Sequence, residues 1–136
     1  MNYWLVKSEP SAYSWEQFVE QKKTSWTGVR SYAGRLHLRN MKKNDHVLWY
    51  RSNEGKDVIA IASVVKEAYP DPTATEGDWS TVDLSPLKKL KKFVSLDSIK
   101  KHKLLKNMAL VRIGRLSVSP VTEKEYNTLI ELSETR

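Results

Sequence analysis

The sequence predicts an α+β fold, a mixed β-sheet curled towards a barrel and flanked by short helices. Three observations carry that expectation. Residues 46–65 hold two apolar runs around Asn53-Glu54-Gly55-Lys56, which is a hairpin signal. Strand-like and helix-like stretches interleave along the chain instead of falling into blocks. Two capping boxes, Ser14 with Gln17 and Thr122 with Glu125, mark helix starts near the two ends.

Taken in order, Tyr3 to Lys7 has the aromatic and aliphatic density of a buried first strand, and Pro10 follows as a stop. Ser14 opens a short helix to about Lys22, with Trp15, Phe18 and Val19 expected on its buried side. Trp26-Thr27-Gly28-Val29-Arg30 reads as a turn, and Ser31 as the N-cap of a helix over Tyr32 to Asn40. On that helix Tyr32 and Leu36 share one face, and Arg35 and Arg39 another. The hairpin strands span His46 to Ser52 and Asp57 to Val65. The second is apolar on both faces, as a central strand would be. Tyr69 to Thr73 contains Pro70 and Pro72 and is expected to be an extended loop. Trp79 to Leu84 reads as a strand, Pro86 to Val94 as an edge strand rich in lysine, and Ser95 as the cap of a helix to Lys103. Leu110 to Val118 reads as a strand with a bulge at Gly114, and Thr122 starts a terminal helix through Leu132.

Length and composition bound the function. The 136 residues suit one domain spanning 1–136, with no repeat or linker to divide it. No apolar run approaches a membrane span, so no membrane partner is expected, and the opening residues are too soon charged for a secretory signal. There is no cysteine, which excludes disulfides and thiolate sites, and His37, His46 and His102 match no metal-ligand spacing. No cofactor or metal is expected, and the cytoplasm is the default location, meaning the nucleoid in a bacterium or the nucleus in a eukaryote. A net charge of +7 favours a polyanionic partner, and five tryptophans sharpen that to nucleic acid, because Trp and Tyr stack on bases. The competing reading of any one ring is a core side chain.

Four clusters could carry binding. Lys7-Ser8-Glu9 ends the first strand before Pro10, placing polar groups at a sheet rim where a base edge or a phosphate would meet them. Trp26, Arg30, Tyr32 and Arg35 put rings beside guanidiniums at a turn-to-helix junction, which suits stacking plus phosphate contact. Tyr50-Arg51-Ser52 ends a hairpin strand with a ring that would reach a pocket from one face. The lysines from Lys88 to Lys106 would add non-specific attraction to a nucleic-acid backbone. Each has a plain alternative: a polar strand end, inward rings with solvated arginines, a half-buried tyrosine, a solvated charged face. Catalysis is poorly supported. No phosphate-binding glycine loop or nucleophile elbow occurs, and Glu9, Asp45 and Asp71 have no evident chemical partner.

At these same segments the chain resembles the EVE domain family of the PUA-like superfamily. The resemblance rests on Tyr3-Trp4-Leu5-Val6-Lys7-Ser8-Glu9-Pro10, Tyr13-Ser14-Trp15, Trp26 with Gly28-Val29-Arg30, Met41-Lys42-Lys43 before Asp45, and Tyr50 with Ser52. It continues through Ala68-Tyr69-Pro70-Asp71-Pro72-Thr73, Val94-Ser95-Leu96 and Arg115-Leu116-Ser117-Val118-Ser119-Pro120-Val121. The resemblance implies a PUA-like curved mixed β-barrel and a non-catalytic reader of modified bases, modified cytosine in DNA above all, held extruded in an aromatic pocket. Carried over residue by residue, that pocket would draw on Lys7, Ser8, Glu9, Trp26, Val29, Arg30, Ser31, Tyr32, Tyr50, Ser52 and Pro72, with Arg115 and Ser117 near it. Trp26 is the expected stacking ring. Arg35, Arg39, Lys88 and Lys89 would hold the phosphate backbone.

Departures from the family pattern bear on the ligand. Ser31 and Ala33 flank Tyr32 where Asn and Gln are usual, Leu36 replaces an Asn, and Arg51 stands where His is usual. Amides donate to and accept from a base edge, which Ala33 and Leu36 cannot do. Three rival readings therefore stand beside the first: a reader of modified bases in RNA, an enzyme acting on a nucleotide or nucleic acid, and a scaffold whose pocket is vestigial. No nuclease domain is evident, so any effector protein is expected to act in trans.

Overall fold

The structure is a computed structural model and describes residues 1–134. Its centre is one six-stranded mixed sheet, built from β1 (Tyr3–Ser8), β2 (Thr24–Ser25), β3 (His46–Arg51), β4 (Asp57–Pro70), β5 (Ser80–Ser95) and β6 (Val118–Val121), in the order β2-β5-β4-β3-β1-β6. β1 and β3 run parallel, from Tyr3 beside His46 to Ser8 beside Arg51, and the other pairs are antiparallel. The expected α+β class is observed. The sheet bends at repeated bulges along the β4–β5 ladder and stays open, with β2 and β6 at its two ends.

Helices cover both faces, because successive strand residues point to opposite sides. Trp4, Val6, Val47 and Trp49 face α1 (Trp15–Gln21) and α2 (Tyr32–Asn40), where Trp15, Phe18, Val29 and Leu38 complete one core. Phe18 stacks on Trp49 with ring centres 4.9 Å apart, and Trp15 meets both edge-on. Leu5, Leu48, Tyr50 and Val58 face the other way. There α3 (Leu96–Lys101), α4 (Ala109–Arg112) and α5 (Glu123–Glu134) bring Ile99, Leu110, Tyr126 and Leu129. Asp45, buried at the start of β3, accepts hydrogen bonds from the Trp4 indole, the Asn2 amide and the Lys42 amide, all near 3 Å. It fixes the α2–β3 turn against β1. Among the described residues no helix is long and apolar enough to cross a membrane.

Both capping boxes and the Ser31 and Ser95 caps are present. The hairpin turns through Gly55 at φ 91°, where a Cβ would strike the Arg51 guanidinium at 2.7 Å. Several boundaries differ from expectation. Leu110 to Val118 is not a strand: α4 and a turn occupy most of it, and only Val118 begins β6. The short run Leu110-Val111-Arg112-Ile113 fits either period, and here the Arg112 and Ile113 amides donate to the Met108 and Ala109 carbonyls, closing a helical turn that buries Met108 and Leu110. The strands expected at 79–84 and 86–94 are one strand, β5. Pro86 is tolerated there because β2 covers only Asp83 and Leu84, leaving the outer edge at Pro86 unpaired. β4 runs on to Pro70, opposite Ser80, so the loop begins only at Asp71. Val19 is exposed, since one residue beyond Phe18 is a rotation of about 100° away from the core.

Candidate functional site

β1 and β3 end together, and the chain leaving each is tied to the other. The Ser52 amide donates to the Ser8 carbonyl at 3.0 Å, and the Asn53 side-chain amide donates to the Glu9 carboxylate at 2.6 Å. After Glu9 the backbone turns sharply, with the Ala12 and Tyr13 amides donating to the Glu9 carbonyl. The Ser8 hydroxyl donates to the Tyr13 carbonyl at 2.6 Å, which leaves its oxygen free to accept. Facing this rim is the segment through β2. Together Lys7, Ser8, Glu9 and Tyr13 on one side and Thr24 to Thr27 on the other enclose a pocket of about 310 Å³. Trp26 is its aromatic wall. It is half-buried, anchored through its amide to the Val82 carbonyl, and packed edge-on against Trp49 at 5.3 Å. A flat ring inserted here would meet one indole and a perimeter of hydroxyl, carboxylate and backbone groups.

Immediately beyond Trp26 the chain is held by Asp71. Its fully buried carboxylate accepts from the Gly28 amide at 2.9 Å, from Arg30 Nη1 at 3.0 Å, and from the Thr73 amide and hydroxyl. Burial by itself would raise this carboxyl's pKa. The hydrogen bonds from Thr73, Gly28 and Arg30 outweigh it and hold the group well below the usual carboxylate range. Gly28 sits at φ 84°, a conformation that glycine adopts without strain. The second Arg30 nitrogen, Nη2, reaches Thr73 at 3.1 Å. Val29 is buried beneath this turn, Ser31 caps α2, and Pro72 lies exposed beside Asp71.

Next to that turn is an exposed aromatic–guanidinium stack. Tyr32, 71% exposed, lies nearly parallel to Trp79 with centres 5.8 Å apart. The Arg35 guanidinium sits 4.9 Å from the Tyr32 ring centre and 5.4 Å from that of Trp79, and Arg30 approaches Trp79 at 5.8 Å. Arg35 and Arg39 both donate to the Asp78 carbonyl, and Arg39 also bonds Ser80 and pairs with the Asp78 carboxylate. The two faces of α2 are divided as expected, with Tyr32 and Leu36 turned to solvent and the arginines clamped to the 71–80 loop.

The remaining candidates lie elsewhere. Lys7 follows Val6 and precedes Ser8, so its side chain projects from the opposite face of β1. There its ammonium donates to the Gly114 carbonyl at 2.6 Å, near the Tyr50 ring. Tyr50 is buried on that face, and burial followed by the charge of Asp57 pushes its hydroxyl pKa up. Tyr50 and Ser52 line a second pocket with Lys7. Arg115 is exposed on the turn before β6, and Ser117 accepts the Lys7 amide through its carbonyl. Lys88 and Lys89 are exposed on β5, beside a hollow shared with Ile130 and Ser133. A larger hollow of about 610 Å³ lies at the other end of β1, between Met1–Trp4 and Pro120–Glu123, and holds none of the candidates.

Of the residues that the resemblance implied for one pocket, Ser8, Glu9 and Trp26 line a pocket together. Sequence reasoning did not separate Tyr50 and Ser52 from them, although strand alternation carries that signal. It also missed Thr24, Ser25 and Thr27 as pocket walls and Trp79 as the partner of Tyr32. Trp79 follows a Gly77-Asp78 turn, which is the cue that it heads a loop stack and not merely a strand.

The sequence profile described as the EVE domain matches residues 2–132. Human thymocyte nuclear protein 1 is 35% identical, over 98% of this chain and 74% of the relative, and the mouse protein of the same name is 36% identical over the same shares. Among solved structures, a protein of Agrobacterium tumefaciens superposes with a TM-score of 0.95 at 41% identity, covering 98% of this chain and 94% of that one. The human THYN1 protein in complex with 5-methylcytosine-containing DNA superposes with a TM-score of 0.92 at 32% identity, covering 100% of this chain and 99% of that one. An ASCH protein of Zymomonas mobilis, 14% identical with a TM-score of 0.65, shares the fold alone.

Proposed function

This chain belongs to the EVE domain family, and we propose that it reads DNA by holding an extruded, modified cytosine in the pocket walled by Trp26. The observation that carries the reading is the pocket itself. One half-buried indole stands over a rim that offers the Ser8 oxygen and the Glu9 carboxylate to the edge of a ring, while the Ser25 hydroxyl on the facing wall donates to Asp83. The human relative solved with 5-methylcytosine DNA, alike over the whole chain, supports the choice of ligand. Stacking on one aromatic side chain contributes about 1–3 kcal/mol, and extrusion costs a few kcal/mol. Edge hydrogen bonds and phosphate contacts must supply the rest. A cytosine methyl adds about 0.8 kcal/mol on burial, less than tenfold in affinity, so discrimination rests on the shape of the pocket.

The arginine–aromatic surface of Arg30, Tyr32, Arg35 and Trp79 adjoins the turn after Trp26 and would take the flanking backbone or a neighbouring base, with Pro72 at its margin. Lys88 and Lys89 would add long-range attraction. The reading is of a binding module, one domain over the chain. Supporting this, the buried carboxylates Asp45, Asp57, Asp71 and Asp83 are all engaged by internal donors, and Glu9 is engaged by Asn53. A reader of DNA works in the nucleoid or nucleus.

The test is substitution of Trp26. Trp26→Ala is expected to lower affinity for a duplex carrying 5-methylcytosine by about 1–3 kcal/mol, and Trp26→Phe to retain part of it. If Trp26→Ala, verified as folded, bound that duplex as well as the parent chain, the stacking assignment would be wrong.

A further inference from the structure

We propose that the lysine-lined pocket on the other face of β1 is a phosphate site. It would receive a backbone phosphodiester of the same nucleic-acid strand whose base enters the Trp26 pocket. The inference rests on the proposed base-reading function for its ligand, but on separate observations for its place.

The pocket measures about 220 Å³, and Lys7, Lys56 and Lys100 line it together with Tyr50, Ser52 and Asn53. No carboxylate lines it. Three guanidiniums elsewhere pair with carboxylates, Arg30 with Asp71, Arg39 with Asp78 and Arg51 with Asp57, while Arg35 donates to the Asp78 carbonyl. Lys7 is half-buried, and its ammonium meets the Gly114 carbonyl and the face of the Tyr50 ring but no acidic group. Burial lowers its pKa, a cost that a bound anion would offset. Asp97, the nearest acidic residue in sequence to Lys100, is engaged by Lys101. Three ammonium groups with hydroxyls from Ser52 and Tyr50 form a donor set suited to phosphate oxygens.

Position selects a nucleic-acid phosphate over a free anion. Lys7 borders both pockets, and the Ser52–Ser8 and Asn53–Glu9 hydrogen bonds join their rims. A base and its own phosphate are separated by one sugar. A strand crossing the ends of β1 and β3 would therefore set a base on one side and a phosphate on the other.

The experiment uses the full chain with Lys56→Gln, Lys100→Gln and the double variant. Both lysines are exposed, so the fold should persist. Lys124→Gln, on α5, serves as control. Oligonucleotide affinity is measured against salt concentration. Each pocket substitution is expected to make the log–log slope shallower by about 0.7–0.9, with the control unchanged and the ratio of modified to unmodified affinity preserved. A slope unchanged in the double variant overturns the proposal even where modified bases are preferred. A slope that falls in a chain with no base preference sustains the phosphate site while the Trp26 reading fails. Inorganic phosphate is the second arm: amide shifts at Ser52 and Asn53 on adding it, with no effect of the variants on oligonucleotide binding, would assign the pocket to a free anion and overturn the proposal.

Discussion

Arg30 and Asp71 meet at 3.0 Å across forty-one residues of sequence, the carboxylate fully buried and the guanidinium 39% exposed. The pair joins the turn that carries Trp26 to the loop that carries Pro72. Half-buried pairs of this kind add little net stability, because desolvation cancels much of the attraction. Their removal one partner at a time is another matter, since the other groups are then left without an acceptor.

Asp71→Asn is accordingly expected to destabilise the chain by about 1–3 kcal/mol at neutral pH, measured by denaturant unfolding. The effect should depend on acid. A carboxyl whose folded-state pKa is depressed contributes stability that is fully present above its unfolded value and is lost as pH falls towards the folded one. Between pH 4 and 2 the difference between parent and variant should therefore shrink.

Burial lowers the pKa of His46, with Asp45 opposing in part, and burial lowers that of His37 as well. Their unfolded value is near 6.5. The unfolded chain then binds more protons below that pH, so stability should decline as pH falls from 7 through 6 and level off once the folded pKa is passed. His46 also shares a 2.7 Å hydrogen bond with the Tyr126 hydroxyl, whose own pKa burial and the neighbouring Tyr3 push up to about 12. The Tyr126 hydroxyl thus stays protonated throughout this range. Unfolding of His46→Gln at several pH values should show a flatter profile than the parent.

Tyr32 is exposed and touches little besides Trp79 and Arg35. Tyr32→Ala should leave the unfolding free energy within about 0.5 kcal/mol of the parent. If the stack contacts nucleic acid, the same change should cost about 1–3 kcal/mol in oligonucleotide affinity. An affinity that does not move would remove this surface from the interface.

Lys88→Gln with Lys89→Gln, on the exposed edge of β5, tests the weaker claim. Affinity should fall equally for modified and unmodified duplexes, and the salt slope should become shallower by at most about 0.9 per lysine. A changed preference between the duplexes would mean that these side chains reach the base.

Much of the fold could be read from residues whose signals are local. Ser14 with Gln17, Ser31, Thr122 with Glu125 and the Asn53–Lys56 turn each satisfy backbone groups within a few positions, so sequence alone locates them. What failed depended on distant partners. Leu110 to Val118 became a helix and a turn, with Leu110 packed in the α3–α5 core and the Gly114 carbonyl accepting from Lys7, and Pro86 stayed in a strand because no neighbour needs its missing amide. The site shows the same division. Ser8, Glu9 and Trp26 gather where expected, whereas Trp79 comes to Tyr32 only through the 71–80 loop, held by Asp71, Arg35 and Arg39.

The most direct measurement is a tryptophan-fluorescence titration with matched oligonucleotides, DNA and RNA, single- and double-stranded, at one fixed salt concentration. Cytosine in them would be unmodified, methylated or hydroxymethylated. Tighter binding to a duplex DNA with one modified cytosine, accompanied by quenching that is reduced in Trp26→Phe, is the expected result. Equal and salt-sensitive binding to every oligonucleotide would contradict it and leave only a basic surface.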